Sequence, residues 1–230
     1  GMTSVAAFNC PAGSYCPQGA INPTPCPAGR YSTSLNLAAS NDCTACTPGK
    51  YCGAVGLTAP TGDCAAGSYC TLGASTAVQG SATATGGPCL AGAYCLAGTI
   101  VSTDCPIGTY FTGTGNTGVV SFTDTNAAAH TFLCTPCASG RACLVEGLTA
   151  STGVGTDACD AGHFCDGGAK TVAAACDDSA CSYLYGACPI GHKCPLGGTV
   201  PVICPKGSFQ ATTGNADCTP CSAGFFCAST

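Results

Sequence analysis

The sequence predicts a small disulfide-rich fold: an elongated tandem array of irregular β-hairpin modules with little helix. Three observations carry that expectation. Of 230 residues, 24 are Cys, about the one-in-ten level at which a disulfide framework becomes the default reading. Leu, Ile, Val and Phe together number only 35, too few to bury the apolar surface that offsets the conformational entropy of a chain this long. And the cysteines recur in one short motif with fixed internal spacing. Covalent bridges are therefore expected where a hydrophobic core is missing.

The motif is C-x5-C. It occurs eight times: Cys10 with Cys16, Cys46 with Cys52, Cys64 with Cys70, Cys89 with Cys95, Cys137 with Cys143, Cys159 with Cys165, Cys188 with Cys194, and Cys221 with Cys227. Gly stands three residues after the first Cys each time, from Gly13 to Gly224. The residue before the second Cys is usually aromatic, as at Tyr15, Tyr51, Tyr69, Tyr94, Phe164 and Phe226; Ala142 and Lys193 are the departures. Three half-motifs share the opening C-P-x-G-x-[YF] without the near second Cys: Cys26 with Tyr31, Cys105 with Tyr110, and Cys204 with Phe209. Pro fixes φ and Gly allows positive φ, so each motif predicts a tight turn that delivers a ring beside sulfur. Helical periodicity is absent, and the stretch 126–130 is too short to form a helix alone.

A longer unit contains these motifs. The pattern C-x5-C-x9-C-xn-C-x2-C-x5-C runs from Cys10 to Cys52, Cys89 to Cys143 and Cys188 to Cys227, with n equal to 16, 28 and 13. The segments after Cys52 and Cys143, GAVGLTAPTGD and LVEGLTASTGVGTDA, align as spacers, and the second spacer adds Cys176 and Cys181. The expected organisation is a first repeat over 1–52, a spacer over 53–88, a second repeat over 89–143, a spacer over 144–187 and a truncated third repeat over 188–230. Repeats of this kind contact mainly their neighbours. The third copy stops where its spacer would begin, and Gly1-Met2-Thr3-Ser4 is not a basic and apolar leader. The chain is therefore expected to be a length of a longer repeat protein, or one whose leader has been removed.

Six cysteines allow 15 pairings, so connectivity does not follow from spacing alone. One inference is available. The gap that varies in length while all others stay fixed is expected to be closed at its base by its own bridge. That predicts Cys26 with Cys43, Cys105 with Cys134 and Cys204 with Cys218, each contributing about 2–4 kcal/mol by restricting the unfolded chain.

CPAGSYC, CPAGRYS and CTACTPGKYC resemble the GCC-type, ephrin-receptor-like cysteine-rich repeat, which reads C-P-x-G-x-Y-C, C-P-x-G-x-Y, then C-x-x-C-x-x-G-x-[YF]-C. The 188–227 copy resembles it nearly as well. The resemblance implies an extracellular module type and says little about function. Low charge with abundant Ala, Thr and Gly is similar to protist surface proteins of the ciliate immobilisation-antigen kind. Ala142, Lys193 and the added Cys176 and Cys181 depart from the family pattern.

Composition excludes other classes. Six basic residues against eleven acidic ones leave no electrostatic footprint for nucleic acid. No apolar run approaches the ~20 residues that span a membrane. The C-x-x-C pairs Cys43/Cys46, Cys134/Cys137 and Cys218/Cys221 lack the βαβ setting of a redox dithiol, and zinc would leave most cysteines unexplained. Gly113, Gly115 and Gly118 match G-x-G-x-x-G, but VVSFTDTN follows where a dinucleotide site needs a helix. Asp160, Asp166, Asp177 and Asp178 with His163 form the one acidic cluster; solvated surface acids outweigh a calcium site there. His130 and His192 read as loop residues. No catalytic constellation, cofactor or metal is expected.

Ser and Thr total 47 without an N-x-[ST] acceptor. O-linked glycans are candidates at Thr83, Thr85, Thr112, Thr114, Thr117, Thr212 and Thr213. The expected role is an extracellular structural protein, a disulfide-stapled repeat rod that builds a surface coat or filament by head-to-tail self-assembly. The alternative is a monomeric binding ectodomain, a receptor-like stalk or surface antigen. It would use the 111–133 loop and the 174–186 insert with Tyr183 and Tyr185.

Overall fold

Each C-x-x-G segment folds as the same four-residue turn. In ten of the eleven the backbone N–H four residues past the leading Cys donates to the carbonyl one residue past it, as in Ser14 to Pro11, Lys50 to Thr47 and Ser208 to Pro205, at 3.1–3.2 Å. The Gly between them has φ near +80°, for example +76° at Gly13 and +86° at Gly207, the value a type II turn requires at its third position. The computed structural model describes residues 8–123, 129–153, 155–169 and 185–227.

In every module but that of Cys221 the two or three residues after the turn form a short strand, and its partner is the segment immediately before the next leading Cys. Ser14–Tyr15 pairs with Thr24–Pro25, Arg30–Tyr31 with Thr44–Ala45, and Lys50–Tyr51 with Gly62–Asp63, all antiparallel. The rule repeats at Ser68–Cys70 with Gly86–Pro88, Thr109–Tyr110 with Thr135–Pro136, and Arg141–Cys143 with Thr156–Ala158. It continues at His163–Cys165 with Tyr185–Ala187, His192–Lys193 with Val202–Ile203, and Ser208–Phe209 with Thr219–Pro220. Two-stranded sheets and one 3₁₀ turn, Ser40–Asp42, are the regular structure of the described residues. The fold is thus disulfide-rich, nearly all short antiparallel pairs, with essentially no helix.

The repeats, spacers and half-motifs distinguished in the sequence fold alike. The spacer motifs at Cys64 and Cys159 make the same turn, strand and partner strand as the motifs inside the long repeats. The structural repeat is the single module headed by one Cys, of which there are eleven.

Eleven cysteine pairs lie at disulfide distance. In eight modules the leading Cys bonds the Cys six residues on, with α-carbons 5.7–6.2 Å apart. In the three half-motifs it bonds the Cys at the far end of the variable loop: Cys26 with Cys43, Cys105 with Cys134, and Cys204 with Cys218. Cys176 and Cys181 lie outside the described residues.

The chain divides into two compact units, Gly1–Leu90 with Cys95–Thr103, and Ala91–Tyr94 with Asp104–Thr230. The division runs through the Cys89 module instead of between the sequence copies. In each unit the buried apolar residues are almost entirely Cys and Ala, from Cys26 and Cys64 to Cys188 and Cys194. In the first unit Tyr51 packs on the cluster of Cys64, Cys70 and Ala74, so its ring lies against the bridge of the following module.

Candidate functional surface

The contact between successive modules is made of backbone, and at eight of the ten steps it has one form among the described residues. Four hydrogen bonds define it. First, the N–H of each leading Cys from Cys26 onward donates to the carbonyl of the preceding turn Gly, as in Cys26 to Gly13 and Cys221 to Gly207, at 2.8–2.9 Å. Second, the turn Gly N–H donates to the carbonyl six residues past the next leading Cys, as in Gly29 to Cys52 and Gly140 to Cys165, at 2.9 and 2.7 Å. Where the sequence lacks that second Cys the bond persists, from Gly13 to Ser32, Gly92 to Phe111 and Gly191 to Gln210, at 2.8–3.0 Å.

The other two bonds use a residue that caps the next module, three or four positions past its closing residue. Its N–H donates to the leading Cys carbonyl of the module before: Asn36 to Cys10, Gly56 to Cys26, Gly73 to Cys46, Gly98 to Cys64, Gly147 to Cys105, Gly168 to Cys137, Gly197 to Cys159 and Gly214 to Cys188, at 2.7–3.0 Å. The carbonyl just after the cap accepts from the closing residue of that earlier module, as in Leu57 from Ser32 and Gly198 from Cys165, at 3.0 and 2.9 Å. All eight caps have positive φ, from +59° to +83°, and seven are Gly. Asn36 is the only non-Gly residue with positive φ among the described residues, and it fills this slot.

The caps also reach one module further. A Cβ on Gly140 would meet the Gly197 carbonyl oxygen at 2.6 Å, and the same approach joins Gly13 to Gly56, Gly29 to Gly73, Gly49 to Gly98, Gly92 to Gly147 and Gly162 to Gly214. Each of these six turns therefore rests on the cap two modules along, where only a Gly α-carbon fits. The caps were legible in principle as a Gly shortly past each closing Cys. Sequence reasoning did not single them out, because their partners are distant in the chain.

The aromatic slot faces across its hairpin onto a small residue. Tyr15, Tyr31, Tyr110 and Phe209 stand opposite Thr24, Thr44, Thr135 and Thr219, while Tyr51, Tyr69 and Phe164 stand opposite Gly62, Gly87 and Gly186. A Cβ on Gly87 would touch the Tyr69 ring at 2.8–3.1 Å, so the ring covers a strand that has no side chain there. Rings of the Cys10 to Cys159 modules are half-buried, but Phe209 and Phe226 are exposed.

The other sequence candidates resolve locally. Neither member of any C-x-x-C pair bonds the other: Cys43 and Cys46 go to Cys26 and Cys52, Cys134 and Cys137 to Cys105 and Cys143, and Cys218 and Cys221 to Cys204 and Cys227. In the G-x-G-x-x-G stretch the buried Asn116 side chain donates to the Leu133 carbonyl at 3.3 Å and accepts from the Gly118 N–H at 3.1 Å, fixing a turn. The strand Val120–Thr123 that follows pairs with Ala129–Phe132, so the 111–133 loop carries its own hairpin. Asp166 is buried, with Ser139 Oγ donating to its carbonyl and carboxylate at 3.2 and 3.4 Å, whereas Asp160 is exposed; Asp177 and Asp178 lie outside the described residues. Among the described residues no group of three or more His, Cys, Asp or Glu side chains is placed to hold a metal ion. His192 Nδ1 lies 3.0 Å from the Ile190 carbonyl, and the His163 Nδ1 is buried without a hydrogen-bond partner among the described residues.

Tyr185 corrects one expectation. It is only 3% exposed and pairs with Cys165 in the sheet, so it is a core residue of its hairpin and not a contact residue of the insert. A ring next to a bridge has more apolar surface to gain inside than outside. Tyr183 and the rest of the insert to 184 lie outside the described residues. Of the glycan candidates, Thr112, Thr114, Thr117, Thr212 and Thr213 are exposed, while the Thr83 and Thr85 hydroxyls lie 3.2 Å apart and Thr83 also donates to Gly86.

No protein-family model and no curated protein matches this chain. No helix among the described residues is long and apolar enough to cross a membrane.

Proposed function

We propose that the chain is an extracellular structural protein, a disulfide-stapled array of identical modules that assembles head to tail into a surface coat or filament. One observation carries this reading: the same four backbone hydrogen bonds join eight of the ten successive module pairs, in both units, at 2.7–3.0 Å, whatever side chains occupy the loops. An interface of main chain, Gly and disulfide specifies repetition and little else. A protein built for repetition serves as material. Eleven cysteine pairs at bonding distance suit an oxidising, extracellular compartment. The exposed Thr residues at 112, 114, 117, 212 and 213 supply positions for O-linked glycans on such a surface.

Electron micrographs of the purified, non-reduced protein test the reading. Filaments or ordered sheets are expected. Isolated single particles at every concentration would refute it and favour the binding ectodomain. The hairpin Val120–Thr123 with Ala129–Phe132 is the observation that favours that second reading, since it stands outside the module pattern and Val119 beside it is 66% exposed.

A further inference from the structure

The ring slot, two residues past each turn Gly, holds Tyr in six successive modules: Tyr15, Tyr31, Tyr51, Tyr69, Tyr94 and Tyr110. From the Cys137 module onward it holds Ala142, Phe164, Lys193, Phe209 and Phe226, and no Tyr. Composition does not explain the run, because the chain has 8 Tyr and 8 Phe. Packing does not explain it either. Tyr69 stands opposite Gly87, and a Cβ on that Gly would lie 3.1 Å from Cε1 and Cζ of the ring. Phe164 stands opposite Gly186 in the same way, with Cε1 and Cζ at 3.4 and 3.6 Å. Both rings are half-buried, so a ring without a hydroxyl fills the same slot.

The six hydroxyls are not used inside the fold. A buried phenol usually finds a hydrogen-bond partner. None of these six makes a hydrogen bond among the described residues, and none is a buried oxygen left unpaired, so the phenol oxygens face solvent. The body of the ring is held in place. Tyr51 packs on the Cys64–Cys70 bridge and Ala74, and a Cβ on Gly53 would lie 3.0 Å from its Cε2. All six rings are half-buried. Each is thus fixed in its own hairpin with its hydroxyl outward.

The chain also lacks the side chains that compete with a phenol for oxidation. It has no Trp and one Met, Met2. Every described Cys is already in a bridge, so none of them offers a thiol to repair a radical formed on a ring. Among the oxidisable side chains of the described residues, tyrosine is the one left open.

From these observations we infer that the six ring-slot tyrosines are sites of oxidative cross-linking, coupled as dityrosine between copies of the chain. The oxidant is hydrogen peroxide acting through a peroxidase. Each of two phenols gives up one electron and its hydroxyl proton. The two phenoxyl radicals form one carbon–carbon bond between ring carbons ortho to oxygen. Each joined carbon then loses its proton, and each oxygen regains one. Two electrons and two protons leave the pair in all, and they reduce one peroxide to two waters. The inference rests on the self-assembly proposed above for bringing copies side by side, and it adds a bond that a thiol reductant does not break. Bridges stiffen each chain from within, and dityrosine joins chain to chain. Rings held in fixed positions on a repeating scaffold meet more often than rings on a loose chain.

The test uses the whole, non-reduced chain, first imaged for filaments and then treated with a peroxidase and hydrogen peroxide. The product is reduced and run on a denaturing gel, dityrosine is read by its fluorescence, and linked peptides are mapped by mass spectrometry. Multimers that survive reduction are expected, with links at the six ring-slot tyrosines. The reduced and alkylated chain has the same tyrosines without their positions, and at equal concentration it is expected to couple at least about tenfold more slowly. A variant with all six changed to Phe keeps the rings in their slots, as Phe164 does, and circular dichroism checks its fold. It is expected to assemble like the parent and to lose the reduction-resistant multimers. Three results would overturn the cross-link while leaving self-assembly standing: oxidised filaments that reductant dissolves completely, equal coupling by the unfolded chain, or links confined to Tyr183 and Tyr185. A parent chain that forms no filament would overturn the assembly, and coupling at the six tyrosines in that chain would still uphold the sites.

Discussion

The carbonyl oxygen of Gly197 points at the α-carbon of Gly140, close enough that a Cβ there would meet it at 2.6 Å. Gly140 also has φ +80°. Its replacement by Ala therefore carries two penalties, a left-handed backbone and a main-chain collision. We expect Gly140→Ala to cost at least about 2 kcal/mol. Gly191→Ala is the control, because Gly191 has φ +77° with nothing within 4 Å. It should cost only about 1–2 kcal/mol, the left-handed penalty alone. Denaturant melts of the two variants measure the difference. Equal losses would mean that the close approach contributes nothing.

Asn36 tests the cap slot. It holds φ +59° and its Oδ1 accepts from Cys10 N–H at 2.9 Å. Asn36→Gly relieves the backbone but loses that bond, so stability should change by less than about 1 kcal/mol. Asn36→Leu keeps the unfavourable backbone and loses the bond, and is expected to cost about 2 kcal/mol. Thermal unfolding of the pair decides it; a tolerated Leu would show that the slot does not need a left-handed residue.

The bridges should differ in value with the loop they close. Cys105 and Cys134 are 29 residues apart, Cys159 and Cys165 only six. Chain-entropy arithmetic gives about 3.6 kcal/mol for the first and about 2.2 for the second. Paired Cys→Ser variants compared by denaturant unfolding should show the long bridge costing more. Peptide mapping under non-reducing conditions should recover both pairs.

Reduction should begin where both cysteines of a bridge are accessible. Cys204, Cys218, Cys221 and Cys227 are half-buried, whereas Cys26, Cys64, Cys89 and Cys188 are fully buried, and the half-buried Cys16 bonds a buried Cys10. Thiol–disulfide exchange needs access to sulfur. Mild reductant followed by alkylation and mass spectrometry is expected to label the 204–227 cysteines first. Uniform labelling along the chain would show that burial by neighbouring modules does not protect the bridges.

Much of the module was legible without coordinates. Cys with Gly three residues on and a ring two beyond that encodes a turn, a strand and an aromatic within seven residues, and the φ of +76° to +89° at those glycines follows from local sterics. The length-variable gap likewise pointed to the pairing of Cys26 with Cys43 through a purely local loop. What the residues between motifs do was not legible. Gly56, Gly73 and Gly197 look like loop glycines until Cys26, Cys46 and Cys159 are seen to accept their N–H groups. Tyr185 looks like a surface ring until it is paired with Cys165.

The sequence by itself determined the turn, the ring slot and the dominance of sulfur over an apolar core, because each depends on residues only a few positions apart. Tertiary structure alone decided that repeat, spacer and half-motif are one equivalent module, that each turn docks on the next by main chain, and that caps reach two modules along. Those relations join backbone atoms, and backbone atoms are the same in every residue. They leave no signature beyond the requirement for Gly, and nothing in a Gly names its partner.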